Sequence, residues 1–324
     1  MLPLSIATNY YDRTAALYDG RVRIEGCKAH HLLIEAPEMF HRSLGYEEFD
    51  VTELSLGGHV VTTARGDAPY VGIPAFPLRM FRHSSVYIRK DRGIARPEDL
   101  AGRTIGVPEY QQTANVWIRG VLQDEYGVDV RSIKWRSGGL EEAGRKERTP
   151  LTLPADIDWT TVPEDQTLST MLERGEIDAI ISPRAPSCFS RKSPSPHVAR
   201  LFADYPVKEL EYFQRTGIFP IMHIVGIRRT LVERHPWVAV SVYKAFLRAK
   251  AMIDMRHGTM LPWGADEYDR MRKLLGPDYW SYGLKANRRV IETFARYAQT
   301  QGLADRIVAP EELFVPSTLD LSRN

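Results

Sequence analysis

A chain of 324 residues with 43% hydrophobic and 26% charged side chains can bury a large core and is long for a single one. Two lobes are therefore expected, and disordered and fibrous classes are excluded. The 43 basic and 41 acidic residues are well mixed and leave a formal charge of +2, so neither a nucleic-acid nor a membrane partner is expected and any bound anion needs a local site.

The N-terminal MLPLSIATNYYD runs directly into a strand. It lacks the basic start, apolar stretch and small-residue cleavage site of a secretory signal, so a cytoplasmic protein is expected. No apolar run approaches the roughly 20 residues of a membrane helix. Residues 4–8 read as the first strand, and Asn9 and Tyr10 behind it are candidate wall residues of a binding site. Cys27 and Cys188 are too few for a disulfide framework and show no metal-ligand spacing, so both read as free thiols in a reducing compartment. Residues 28–34 form a second strand. Its His30 and His31 look like a metal pair but point to opposite faces, so no metal site is expected there. Glu35 follows this strand, and Glu53 lies within a third at 51–54; the structural alternatives are a solvated Glu35 and a helix-capping Glu53.

The next segment, RMFRHSS from Arg79, is cationic. Read as a strand, it turns Arg79, Phe81 and His83 one way and Met80, Arg82 and Ser84 the other. Arg82 with Ser84 is the preferred anion clamp, with Arg79 inward if the chain bends. Strands at 85–89, 104–107 and 133–135 come next. Between the last two, Ala114, Trp117 and Val121 share one helix face, which places Thr113 near that helix's N-terminus, where free N–H groups suit an anion. Residues 138–163 and 190–196 read as loops. A strand at 179–182 ends on Ser182, and Arg184 follows between Pro183 and Pro186. Its guanidinium suits a carboxylate held through two parallel hydrogen bonds; the alternative is a pair with a surface acid. His223 ends the apolar FPIMH, and a satisfied core histidine is the structural alternative to a site residue there. Pro236 opens a helix with Val238, Val242, Ala245, Ala249 and Met252 on one face. Another helix runs from Asn287, buries Val290, Phe294 and Tyr297, and stops at Gly302.

This alternation of short strands and helices signals α/β layers on mainly parallel sheets, with a helical cover at the end and no internal repeat. There is no GxGxxG after a strand, no phosphate loop and no lysine placed for a Schiff base, so no organic cofactor is expected. The sequence leaves room for a divalent metal bound by a histidine and a carboxylate, although no ligand spacing announces one.

RPEDLAGRTIGVPEY (96–110) and LERGEIDAIISP (172–183) resemble the second lobe of type II periplasmic-binding-protein folds. FDVTELSLGGHV, FPLRMFRHSSVYIRKDRGI, GIFPIMHIVGIRR and DYWSYGLKANRRVIETFARYAQTQGL together are similar to 4,5-dihydroxyphthalate decarboxylases. The resemblance implies lobe I from 1–80 plus 222–324, lobe II from 81–221, crossings near 79–84 and 217–223, and a ligand cleft between the lobes. It also implies non-oxidative decarboxylation of a hydroxylated aromatic dicarboxylate to protocatechuate. Arg184 and Arg82 would then hold the carboxylates, His223 would donate or relay the proton, and Glu35 or Glu53 would orient or deprotonate a hydroxyl. Ser84, Ser182, Arg79, Tyr10, Asn9 and Thr113 would line the site. The partner is a small aromatic carboxylate, and a homo-oligomer is left open. The rivals are a solute-binding protein for an aromatic or sulfonate-type anion, a chorismate-dehydratase-like enzyme on the same fold, and a ligand sensor without catalysis.

Overall fold

The computed structural model describes residues 1–147, 150–190, 192, 194–253 and 260–321. Among them the strands are β1 (Leu2–Thr8), β2 (Cys27–Leu33), β3 (Val51–Ser55), β4 (Tyr70–Arg79), β5 (Val86–Arg89), β6 (Thr104–Val107), β7 (Lys134–Ser137), β8 (Trp159–Thr161), β9 (Ala179–Ile181), β10 (Val198–Arg200) and β11 (Ile221–Arg228). The helices are α1 (Asp12–Tyr18), α2 (Ala36–Tyr46), α3 (Leu56–Arg65), α4 (Thr113–Tyr126), α5 (Leu168–Arg174), α6 (Ser187–Ser190), α7 (Tyr205–Thr216), α8 (Arg229–Arg234), α9 (Trp237–Ala251), α10 (Gly264–Leu275) and α11 (Leu284–Thr300). None of them is long and apolar enough to cross a membrane. Cys27 and Cys188 are buried, and neither is in a disulfide.

The chain divides into two compact units, Met1–Met80 with Ile218–Ala295 and Val308–Asn324, and Phe81–Gly217 with Arg296–Ile307. The sequence reading kept all of 222–324 together. Arg296–Ile307 instead belongs with the second unit because its side chains pack on α4. Tyr297 meets the Trp117 ring edge-on and donates to Asp124, and Gln301 accepts from the buried Arg119 at 2.7 Å.

In the first unit the sheet order is β2-β1-β3-β11-β4, with β1, β2 and β3 parallel and β11 antiparallel to both its neighbours. β4 and β11 are buried along most of their length, as strands covered on both faces are. The sequence reading had no strand at β4, since Pro74 and Pro77 argue against a ladder there. The strand nevertheless forms at the sheet edge, and it bulges. Ile73 pairs with Val225 and Leu78 with His223, so Pro74, Ala75, Phe76 and Pro77 stand opposite Ile224 alone. The bulge removes the prolines from the ladder and frees their carbonyls for other donors.

The second unit holds the sheet β10-β5-β9-β6-β7-β8, in which β6 pairs parallel with both β7 and β9, and β5 antiparallel with β9 and β10. The expected strand, helix, strand unit is β6, α4 and β7, with Ala114, Trp117 and Val121 buried. Two expectations are corrected. The stretch after Arg79 is not one strand, because β4 ends at Arg79 and His83–Ser85 form a 3-10 turn. Residues 138–163 contain the short β8 as well as loop.

Among the closing helices, Pro236 is the N-cap of α9, and Val238, Val242, Ala245 and Ala249 are buried. Met252 lies past the end of that helix and is exposed. α11 starts at Leu284, ahead of Asn287, whose side chain is buried.

Gly226 faces Gly72 across β11 and β4, and a Cβ on Gly226 would stand 2.3 Å from Leu54 Cδ1 inside the core. Gly226→Ala is therefore expected to lose about 1–3 kcal/mol of stability through overpacking, read as a lower urea midpoint at unchanged slope.

Candidate functional site

Strand register brings two polar side chains together in the apolar sheet of the first unit. Glu53 on β3 stands opposite Val225 on β11, so His223, two residues along, shares its face as a diagonal neighbour. Their side chains meet, with His223 Nδ1 donating to Glu53 Oε1 at 2.5 Å. β1 runs parallel to β3 with Ala7 beside Thr52, which carries the chain beyond Thr8 over the same carboxylate. The Asn9 backbone N–H donates to Glu53 Oε2 at 3.0 Å, and the Tyr11 hydroxyl donates to Oε1 at 2.7 Å.

Glu53 is fully buried, and burial alone would raise its carboxyl. The hydrogen bond and charge of His223, then the Asn9 N–H and the Tyr11 hydroxyl, outweigh that and hold it below the usual carboxylate range. The Tyr11 phenol is pushed up by burial and by the Glu53 charge. A carboxylate on Nδ1 fixes the imidazole tautomer and orientation and leaves Nε2 to accept or hand on a proton. The Phe40 ring of α2 packs edge-on against the imidazole at 4.9 Å. Glu53 does not cap a helix, because Ser55 caps α3 and accepts from Gly58 N–H.

The other first-unit candidates separate from this group. Glu35 is exposed at the N-cap of α2 without a side-chain hydrogen bond there, so it is not placed to share the work of Glu53. Tyr10 is 63% exposed, and its neighbour Tyr11 is the tyrosine turned onto the carboxylate. Asn9 contributes its backbone to Glu53 and its carbonyl to the Tyr18 hydroxyl. Arg79 is a tether. It is buried, donates to the carbonyls of Phe219 and Ser281 and to Asn287 Oδ1, and burial lowers it to about 9. His31 packs edge-on to Tyr18, and burial first, with the His30 charge, lowers it. Among the described residues no group of three or more His, Cys, Asp or Glu is placed to hold a metal.

The remaining candidates lie in the second unit. Arg82 is buried in the company of Glu209, whose Oε1 accepts the Ser84 backbone N–H at 3.4 Å. Burial lowers Arg82 to about 10 and raises Glu209 to about 7. The expected Arg82 and Ser84 clamp thus has an acid of its own chain, on α7, beside it. Ser182 is buried at the end of β9, donates its N–H to the Ser85 carbonyl and accepts the Arg184 N–H on its hydroxyl at 3.2 Å. Arg184 itself is exposed, and its guanidinium makes no hydrogen bond or ion pair with a described residue. Thr113 is buried at the first position of α4.

No family model matches the chain. It is 44% identical over 325 residues to a 4,5-dihydroxyphthalate decarboxylase of Comamonas testosteroni, an alignment covering 98% of both chains. It is 48% identical over 203 residues to a protein of the same name from Pseudomonas putida, over 63% of this chain and 78% of that one. Among solved structures it is similar to the periplasmic aliphatic sulphonate binding protein SsuA of Escherichia coli, at 13% identity and a TM-score of 0.54 over 97% of this chain and 92% of that one. The alkanesulfonate-binding protein SsuA of Xanthomonas axonopodis pv. citri, bound to MOPS, matches at 12% identity and 0.51 over 98% of both. These likenesses establish the fold as periplasmic-binding-protein-like, in keeping with the two mixed sheets.

Two outcomes are expected. Because the folded Glu53 carboxyl lies below its ordinary value, its contribution to stability is full above the ordinary range near about pH 4.3 and is lost as pH falls through the folded value. Glu53→Gln should therefore be less stable than wild type at neutral pH, with the gap narrowing in acid; urea midpoints at several pH values measure it. Arg79→Met should lose about 2–4 kcal/mol, because it strips donors from buried carbonyls, and should leave ligand affinity unchanged.

Proposed function

The chain belongs to the family of 4,5-dihydroxyphthalate decarboxylases, and from that premise we propose that His223, backed by Glu53, moves the proton in the reaction. The protein is a carboxy-lyase, converting 4,5-dihydroxyphthalate to protocatechuate and CO2. Direct loss of CO2 would leave an aryl carbanion that side chains cannot stabilise. Each hydroxyl of this substrate lies para to one carboxylate, so loss of the phenolic proton to solvent pushes electron density onto the carboxyl-bearing carbon. The His223 imidazolium delivers its Nε2 proton to that carbon and forms a dienone. The carbon–carbon bond then breaks, its electron pair restores the aromatic ring, and CO2 leaves. One solvent proton returns to the imidazole, and the phenol is reprotonated. This route uses no organic cofactor.

The observation that carries the assignment is the buried Glu53 carboxylate on Nδ1, which holds Nε2 as the outward nitrogen of a side chain that keeps 13% exposure. In this scheme Glu53 orients the imidazole and Tyr11 orients Glu53. The readings as a solute receptor, a sensor or a chorismate-dehydratase-like enzyme are not favoured, since the identity spans nearly the whole chain while the receptor likeness rests on the fold alone.

Incubation of the purified protein with 4,5-dihydroxyphthalate should release CO2 and give the protocatechuate spectrum. His223→Asn keeps an amide N–H for Glu53 but removes the titrating group. It should lower kcat by at least about 10²-fold with KM and melting temperature little changed. Full turnover in that variant would move the proton transfer to another group.

A further inference from the structure

We infer that Arg13, not Arg79, is the carboxylate-binding arginine of the first unit, an assignment that rests on the decarboxylase reading for the identity of its ligand. Arg13 lies two residues past Tyr11 at the start of α1, and its guanidinium carbon stands 4.2 Å from the Tyr11 ring centroid and 4.2 Å from that of Trp280. The two rings are themselves anchored. The Tyr11 hydroxyl is on Glu53, and the Trp280 indole N–H donates at 2.9 Å to the Phe76 carbonyl, freed by the bulge in β4. Arg13 Nε donates to Pro77 of the same bulge, and Nη1 reaches Asp12 at 2.9 Å. Of the five guanidinium N–H groups, those on Nη2 engage no described residue. The side chain keeps 12% exposure, so part of it reaches solvent while the two rings, Pro77 and Asp12 hold the rest.

Stacking on two rings leaves the planar fork little rotamer freedom to lose on binding, which favours a bidentate contact with a carboxylate. The cation lies one ring stack and one hydrogen bond from Glu53, the carboxylate that holds the proposed proton donor. The Tyr282 hydroxyl, buried without a partner among the described residues, is near enough for the Arg13 charge to act on it. Arg79 differs: Nη1 and Nη2 are both committed to acceptors of the chain. Asp12, with a side chain 46% exposed, is the anion already on Nη1 and competes with a ligand carboxylate.

The test is calorimetric titration of wild type, Arg13→Lys, Arg13→Gln and Asp12→Asn with phthalate and with benzoate, which offer two and one carboxylates and no hydroxyl to react. Wild type should prefer phthalate. Both Arg13 variants should weaken phthalate at least about tenfold and shrink the preference over benzoate, and Asp12→Asn should tighten phthalate. An unchanged preference in Arg13→Lys and Arg13→Gln, alongside a lower melting temperature, would make Arg13 a structural rivet and overturn the assignment; so would equal affinity of wild type for the two acids. Wild type that prefers phthalate through Arg13 yet releases no CO2 from 4,5-dihydroxyphthalate would remove the decarboxylase reading and leave this one standing.

Discussion

A carboxylate buried in the middle of an apolar sheet cannot exist without donors, and Glu53 sets that demand on the first unit. It is met by a side chain from β11 and by a backbone N–H and a hydroxyl from the chain leaving β1, so two segments distant in sequence converge on a group carried by a third. The sheet order supplies them, because β3 lies between β1 and β11. A different order would leave the charge without partners. The same convergence fixes the imidazole of His223 in one orientation, which is what a proton-transferring histidine requires.

The bulge in β4 carries the second half of the arrangement. Prolines that cannot donate to a ladder also leave carbonyls without ladder partners, and those carbonyls recruit neighbours. Gly283 N–H bonds to Pro74, the Trp280 indole to Phe76, and Arg13 to Pro77. Lys250 holds the Trp280 carbonyl, and Arg79 holds that of Ser281, so the segment behind α10 is pinned against the sheet. An irregular strand thus becomes a platform that presents an arginine between two aromatic rings. Arg79 and Arg13 illustrate why arginines are hard to assign from sequence. A guanidinium spent on backbone carbonyls and one with donors to spare have the same letter.

Much was legible in the sequence. Short β-branched runs located β1, β2, β3, β5, β6 and β9 to within a residue or two, since strand identity depends on local hydrophobic pattern. Phrases spread along the chain carried the family and its chemistry. Glu53 and His223 were visible as polar residues in apolar strands, where the cost of burial makes such groups conspicuous.

Tertiary structure decided the rest. That Glu53 and His223 touch follows from antiparallel register between strands whose two residues lie 170 positions apart, and no local pattern encodes register. That Tyr11 rather than Tyr10 reaches the carboxylate depends on how the chain turns after β1. β4 was hidden because its prolines contradict a ladder, and only the pairing with β11 shows them set aside in a bulge. Composition and periodicity determine which segments can be strands and which residues resist burial. Which of those residues meet is fixed by sheet order and register, and these emerge only when all the strands pack together.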